Sequence, residues 1–321
     1  MDKYFLERVG LSHYSKEEFE PRNIVLRGGQ KAILWVHMIS GHGILDPEFW
    51  VDDDYYQKNY RSEYSSESVG LHVSPKEHSN IYCGLNEKQF SQFSRFLTHD
   101  TRYLEIGCSF GGVFKKVADF GVDVCHGIEP NKADAQFVQK VCPQSKIFNM
   151  TFEDIDLQSD YYEVVTSFEV LEHAISPRSV LKKAASVMKK NALINFEVPN
   201  HVDVLLSTYK NTAYENFFYH KAHTHYFTKE SLDRLFEVCG FVGTVSSFLM
   251  YPFFNHVFWN QSQGPQPSAK VALETLQPAS EESATGIEIN KFFAQVEHDY
   301  ESIVNRHMVG DCLVYQGRKN K

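Results

Sequence analysis

Apolar and polar positions along this chain recur with two periods, and each change of period marks an element. YLEIG (residues 103–107) is an apolar run around one acid, closed by glycine, which is the pattern of a strand buried on both faces. In VFKKVADFG (113–121) Val113, Val117 and Phe120 then fall at helical spacing, with Gly121 as the stop. VDVCHGIEP gives a second strand ending at Glu129 and Pro130, NKADAQFVQKVC a second helix and SKIFNM a third strand. YEVVTSF predicts a fourth strand. SPRSVLKKAASVMKK predicts a helix with Ser176 as N-cap, Pro177 at its first position and lysines at its end, and ALINFEVPN a fifth strand. Strands separated by helices of this length must pair in parallel, so the expected class is α/β with helices on both faces of one sheet.

Beyond residue 200 the pattern loosens. TKESLDRLFEVCG predicts a helix with Thr228 as N-cap, an apolar face of Leu232, Leu235, Phe236 and Cys239, and Gly240 past its end. FVGTVSSFLMY reads as a strand, and a helix over about 287–306 leads into a last strand, DCLVYQG. Residues 260–285 turn polar and rich in Gln, Ser, Pro and Ala, which predicts a mobile loop or lid. No internal repeat is visible.

Composition narrows the partners. With 321 residues, 42 % hydrophobic and 23 % charged, the chain has material for one large domain plus an accessory segment. A formal net charge of −9 with no concentration of Lys and Arg argues against nucleic acid or anionic lipid as a partner. Apolar runs are too short for a membrane helix and MDKYFLERVG lacks a signal peptide's apolar core, so a cytoplasmic protein is expected. Six cysteines scattered without a CxxC pair fit reduced thiols.

The candidate chemistry starts at the glycine turn. A parallel strand entering a helix through glycines presents backbone N–H groups at the sheet's C-terminal edge and lets a ligand approach closely. Glu129, at the end of the next strand, is placed to accept hydrogen bonds from ribose hydroxyls, which points to a nucleoside ligand. Nicotinamide dinucleotides and S-adenosylmethionine both meet that description. Glu105, just before the turn, would repel a pyrophosphate but suits a ligand end carrying an ammonium and a sulfonium.

From about residue 96 to 241 the chain resembles the class I S-adenosylmethionine-dependent methyltransferases. LEIGCSFGG, IEP, TFED, YYEVVTSFEVLEH, KKNALINFEVPN and HTHYFTKESLDRLFEVCGF stand in that superfamily's order and at its spacing. The resemblance implies a Rossmann-like sheet of seven strands, the last antiparallel beside the sixth. It implies S-adenosylmethionine as cofactor, its methionine part at Glu105, Gly107, Ser109 and Gly111, its ribose at Glu129, and its adenine between Phe152 and Glu153, with Phe168 also in the cofactor site. Three positions depart from the usual pattern: Ser109 for the middle glycine, Glu163 for an aspartate, and Asn191-Ala192 for a Gly-Gly turn.

SFEVLEH resembles the same stretch of the ubiquinone-biosynthesis O-methyltransferases, in which an E-x-x-E-H binds a metal. If it forms a turn of helix, Glu169, Glu172 and His173 share one face and would hold Mg2+ or another divalent cation. LEH also occurs in this superfamily without metal, its histidine capping or packing. In HKAHTHYF, His223 and His225 point the same way if the segment is extended, so each is a candidate general base for an acceptor hydroxyl, in competition with His173 and His201. The aromatic run from Tyr214 to Trp259 suits a sugar ring or a phenol.

The domain reading is an N-terminal accessory segment over 1–85 and a methyltransferase domain over 86–321. WVHMISGHGILDPEFWVDDDYYQKNYRSEY faintly resembles the segment that precedes the catalytic domain in sugar methyltransferases, without that module's cysteine ligands. His37, Ser40 and His42 cannot make a tetrahedral zinc site alone, and Gly41 and Gly43 predict a turn around them. The segment is expected to cover the active site or to pair two copies as a homodimer. This likeness puts carbohydrate first among small-molecule acceptors, free, as nucleotide sugar or as surface glycan. A phenolic or quinone-type acceptor with a metal, a non-catalytic cofactor-binding subunit and an NAD-dependent oxidoreductase are the alternatives.

Overall fold

The structure is a computed structural model, and it describes residues 4–51, Tyr55 and 74–320. Its main sheet has seven strands. In chain order these are β4 (Arg102–Ile106), β5 (Val124–Ile128), β6 (Lys146–Phe148), β7 (Tyr162–Phe168), β8 (Met188–Pro199), β10 (Phe241–Phe248) and β11 (Cys312–Lys319), arranged β10-β11-β8-β7-β4-β5-β6. Strands β6, β5, β4, β7 and β8 are parallel, and β11 is antiparallel to both β8 and β10 between which it lies. This is the seven-stranded sheet implied by the resemblance.

Burial follows the pleat. In β4, Tyr103 joins Phe93, Val113, Phe114, Val117 and Val138 under one face, whereas Leu104 and Ile106 join Leu181, Phe196, Leu232 and Phe236 on the other. Burying each such side chain contributes roughly 1.5–3 kcal/mol. The helices end as the local sequence dictates. Gly112–Phe120 stops at Gly121 in the left-handed conformation, φ +83°, and Ser176 and Thr228 accept hydrogen bonds from Ser179 N and Ser231 N at the starts of Pro177–Val187 and Lys229–Val238.

Two predicted elements differ. Lys189 and Lys190, expected at a helix end, lie in β8: the helix stops at Val187 and Met188 is already extended, pairing with Tyr162. Residues 260–285 are not one loop. Helix Phe253–Ser262 runs into them, and Ser268, whose hydroxyl accepts from Val271 N, starts a short helix, Ala269–Leu273, before Ser283 caps the long helix Ala284–Arg306.

The N-terminal segment builds a second sheet. Strands β1 (Phe19–Val25), β2 (Lys31–His37) and β3 (Gly43–Leu45) form an antiparallel meander, and β3 pairs with β9 (His225–Tyr226), so HTHYF completes this sheet. Ile24, Leu26, Leu34 and Leu45 pack there on Phe218, Tyr219 and Tyr226. Residue 85 falls inside the helix Cys83–Phe93, which with Pro75–Ile81 leads into the main sheet.

Candidate active site

The C-terminal ends of β4, β5 and β7 open into a cavity of about 740 Å³, within the usual range for a small-molecule site. Its wall includes Glu105, Gly107, Cys108, Ser109, Glu129, Phe152, Glu153, Phe168, Glu169 and His173. The whole cofactor set expected from the sequence lines it except Gly111, which sits behind the turn. There φ is +74° and a Cβ would stand 3.0 Å from Val138 Cγ1, so Gly111 serves the turn's packing, and Gly112 takes its place at the wall beneath Asn86.

The turn differs from a row of unengaged N–H groups. Gly107 N and Cys108 N both donate to Ile128 O, at 2.9 and 3.0 Å, and Gly111 N donates to Cys108 O at 2.7 Å. Ser109 N donates to Glu129 Oε2 at 2.9 Å, while Glu129 Oε1 accepts from Asn131 N at 2.8 Å. Glu129 is thus a buried carboxylate pinned by two backbone donors at the cavity wall. Glu105 lies below the turn and accepts from Tyr103 Oη at 2.6 Å; burial pushes its carboxyl up to about 8.

The helices Pro75–Ile81 and Cys83–Phe93 form a wall that the sequence reading missed, contributing His78, Tyr82, Leu85, Asn86 and Gln89. A local signal was present. Ser74-Pro75-Lys76-Glu77 is a capping box with proline at the first helical position: Ser74 Oγ accepts from Glu77 N, and Glu77 Oε2 accepts from Ser74 N at 2.9 Å.

Glu169, Glu172 and His173 do not share a face. Only Leu171–His173 is helical, as a single 3₁₀ turn, and Glu169 precedes it in the left-handed region at φ +56°, which sends its side chain toward Glu197 and Cys312. His223 joins Glu172 and His173 instead. The Nε2 atoms of both histidines lie 3.7 Å from Glu172 Oε1. Glu172 is 0 % exposed, with no hydrogen-bond partner for either oxygen among the described residues, and burial, followed by the nearby Glu169 charge, raises its carboxyl well above the usual range. His173 Nδ1 donates to Ala222 O at 2.8 Å, which turns Nε2 toward Glu172.

Among the candidate bases only His173 reaches the cavity wall. His223 lies behind it, beside Glu172. His225 is a β9 residue at 0 % exposure, bonded to His42 Nε2 at 3.0 Å and to Ile175 O at 3.2 Å, and burial lowers its imidazole to about 4. It is therefore a structural group of the second sheet. The expectation that His223 and His225 point together fails because the intervening Thr224 donates to Glu172 O and begins the pairing with β3. His201, bonded to Gly41 O and Tyr219 Oη, is likewise held inside. His37 bonds Ser40 Oγ at 2.8 Å and His42 bonds Ser231 Oγ at 3.1 Å, across the turn that Gly41 makes at φ +71°.

A family model described as "Methyltransferase domain" matches residues 78–245, just over half of the chain. The chain belongs to this methyltransferase family. Among curated relatives, the ubiquinone biosynthesis O-methyltransferase of Acinetobacter baylyi is 26 % identical over 105 residues, which is 31 % of this chain and 44 % of that protein. The chain thus spans less than half the length of that relative. Two solved methyltransferase structures share the fold: one from Haloferax volcanii in complex with its activator (TM-score 0.53, 11 % identity, 83 % of this chain and 98 % of that one) and one from Thermotoga maritima (TM-score 0.50, 16 % identity, 84 % and 100 %). In this methyltransferase the matched region begins at His78, inside the first of the two wall helices.

Proposed function

We propose that this methyltransferase moves the methyl group of S-adenosylmethionine to a hydroxyl of a small acceptor, with an uncharged carbohydrate as the leading class. The observation that carries the cofactor half is the pinned Glu129 carboxylate beside the Gly107 turn in a cavity of about 740 Å³. In the reaction the acceptor oxygen's lone pair attacks the methyl carbon, the carbon–sulfur bond breaks with its electrons going to sulfur, and the hydroxyl proton leaves to a base. Of the histidines expected as bases, His173 is the one at the cavity wall, its Nδ1–H donating to Ala222 O, and it is assigned to receive that proton. Holding the oxygen in line with the carbon–sulfur bond supplies much of the rate, roughly 7–11 kcal/mol in favourable cases.

Charge narrows the acceptor list. Among the described residues the wall carries five acids, Glu105, Glu129, Glu153, Asp154 and Glu169, and no lysine or arginine. A nucleotide sugar's phosphates would meet repulsion without a counter-ion, so a neutral sugar is favoured over the nucleotide-linked form. The same reading keeps the reaction in the cytoplasm, consistent with six free cysteines.

A second reading, a phenolic acceptor assisted by a divalent cation, is favoured by the Glu172, His173 and His223 cluster. A fully buried carboxylate with two unpartnered oxygens between two imidazoles fits a cation's donor set, and these three residues would hold it. A cation there would lower the acceptor hydroxyl's pKa. The test is transfer of labelled methyl from S-adenosylmethionine to neutral sugars, nucleotide sugars and catechols by chelator-treated protein, with and without Mg2+. Metal-independent transfer to neutral sugars supports the first reading, Mg2+-dependent transfer to catechols the second, and preference for nucleotide sugars overturns the charge argument.

A further inference from the structure

Strand register places Glu169 beside the glycine turn. β4 and β7 are adjacent and parallel, with Ile106 opposite Ser167, so Gly107 and Cys108 continue from one strand at the level where Phe168 and Glu169 continue from the other. The approach is close: a Cβ on Gly107 would stand 2.4 Å from Val170 Cγ2. On the turn's other side, β5 brings Glu129. A nucleoside whose ribose lies at Glu129 must therefore extend its 5′ substituent across the turn toward β7, where Glu169 faces the cavity.

The acids behind that position differ in how they are compensated. Asp311 has His256 Nε2 at 3.0 Å and two backbone donors, Met250 N and Tyr251 N. Glu197, 0 % exposed, accepts from Gln89 Nε2 at 2.6 Å and Gln92 Nε2 at 2.8 Å. Glu169 has Cys312 Sγ at 3.5 Å, and among the described residues no ion pair joins Glu169 or Glu197 to a basic side chain. Among the described residues the cavity wall brings no lysine or arginine either. Half-buried Glu169, open to the cavity, and buried Glu197 have carboxylate oxygens within 4.8 Å of each other, an acidic pair that a cation can reach from the cavity side.

We propose that Glu169, backed by Glu197, is the counter-charge for the cofactor's sulfonium, and that it makes the protein prefer S-adenosylmethionine over the neutral thioether product, S-adenosylhomocysteine. Loss of the methyl group then removes the positive charge and with it this hold, which favours release of the spent cofactor. Burial, followed by the nearby Glu197 charge, raises the Glu169 carboxyl to about 8 in the empty site, so the preference for S-adenosylmethionine is expected to grow as pH rises and the carboxylate forms.

This inference rests on the S-adenosylmethionine reading, and one experiment separates the two. Isothermal titration of the full chain at pH 8.5 with each compound is expected to show tighter binding of S-adenosylmethionine, by about tenfold for a partly solvated charge pair. In Glu169→Gln the preference falls to within about twofold while affinity for S-adenosylhomocysteine is kept, which also shows that the variant folds. Glu197→Gln gives a smaller loss of preference. An undiminished preference in Glu169→Gln overturns the assignment of Glu169, whereas failure of both compounds to bind the unaltered protein overturns the cofactor reading itself.

Discussion

At Gly107 the backbone has φ +75°, and no side chain fits between it and Val170. Gly107→Ala combines a left-handed alanine, a strain of order 1–3 kcal/mol, with displacement of Val170. A lower melting temperature and weaker binding of S-adenosylmethionine are expected, with partial recovery in the Gly107→Ala, Val170→Ala double variant. An unchanged melting temperature would show that the turn has room to relax. Glu129 acts on both the ligand and the turn, because its two oxygens hold Ser109 N and Asn131 N. Glu129→Ala leaves two backbone donors without a carboxylate, a loss of about 1–3 kcal/mol each. The turn loses its shape and the ribose its acceptor, so calorimetric affinity for S-adenosylmethionine should fall by at least about tenfold. Retained affinity would remove Glu129 from the ribose site.

Elements differ in how far local sequence reveals them. The β4 turn, its helix and the β5 acid are specified within 30 residues by glycines, apolar spacing and caps, so the elements of 103–130 were legible in position. The wall helices from residue 75 were not recognised, although the capping box at Ser74 marks their start. Ser74→Ala should loosen helix Pro75–Ile81 by about 1 kcal/mol. Faster hydrogen exchange over 75–81 with modestly weaker cofactor binding is the expected outcome, and an unaltered exchange rate would make the box incidental. Other features depend on distant pairing and leave no local trace. His225 reads as a loop histidine until β3 supplies its neighbour. Likewise Glu169 departs from Glu172 because one residue takes φ +56°, a choice that nothing in SFEVLEH announces.

Across the whole molecule two sets of buried groups respond to pH in opposite senses. His42, His201 and His225 are kept neutral by burial, the last two down to about 4, whereas an unfolded imidazole titrates near ~6.5. From about 6.5 down to about 4 the unfolded chain binds more protons, so these groups cost stability as pH falls. Glu105 and Glu169 are raised by burial to about 8 and Glu197 to about 7, so the folded chain retains protons that unfolded carboxylates lose near ~4.3. They cost stability as pH rises toward 8. Above about 6.5 those three histidines no longer titrate, whereas the carboxylates do and His256, raised by Asp311 against its burial, also loses its proton, so the melting temperature of the ligand-free protein should fall between pH 6.5 and 8. Glu105→Gln should flatten that slope, and a level profile across the interval would refute the assignment.

The two-residue strand β9 imposes an order on synthesis. Ile44 finds its partner His225 about 180 residues later, so a ribosome adding ~5–20 residues per second leaves the meander waiting roughly 10–40 s with the outer edge of β3 unpaired. Throughout that interval Gly43–Leu45, all three buried in the finished protein, form an open apolar border of the kind that recruits neighbouring nascent chains.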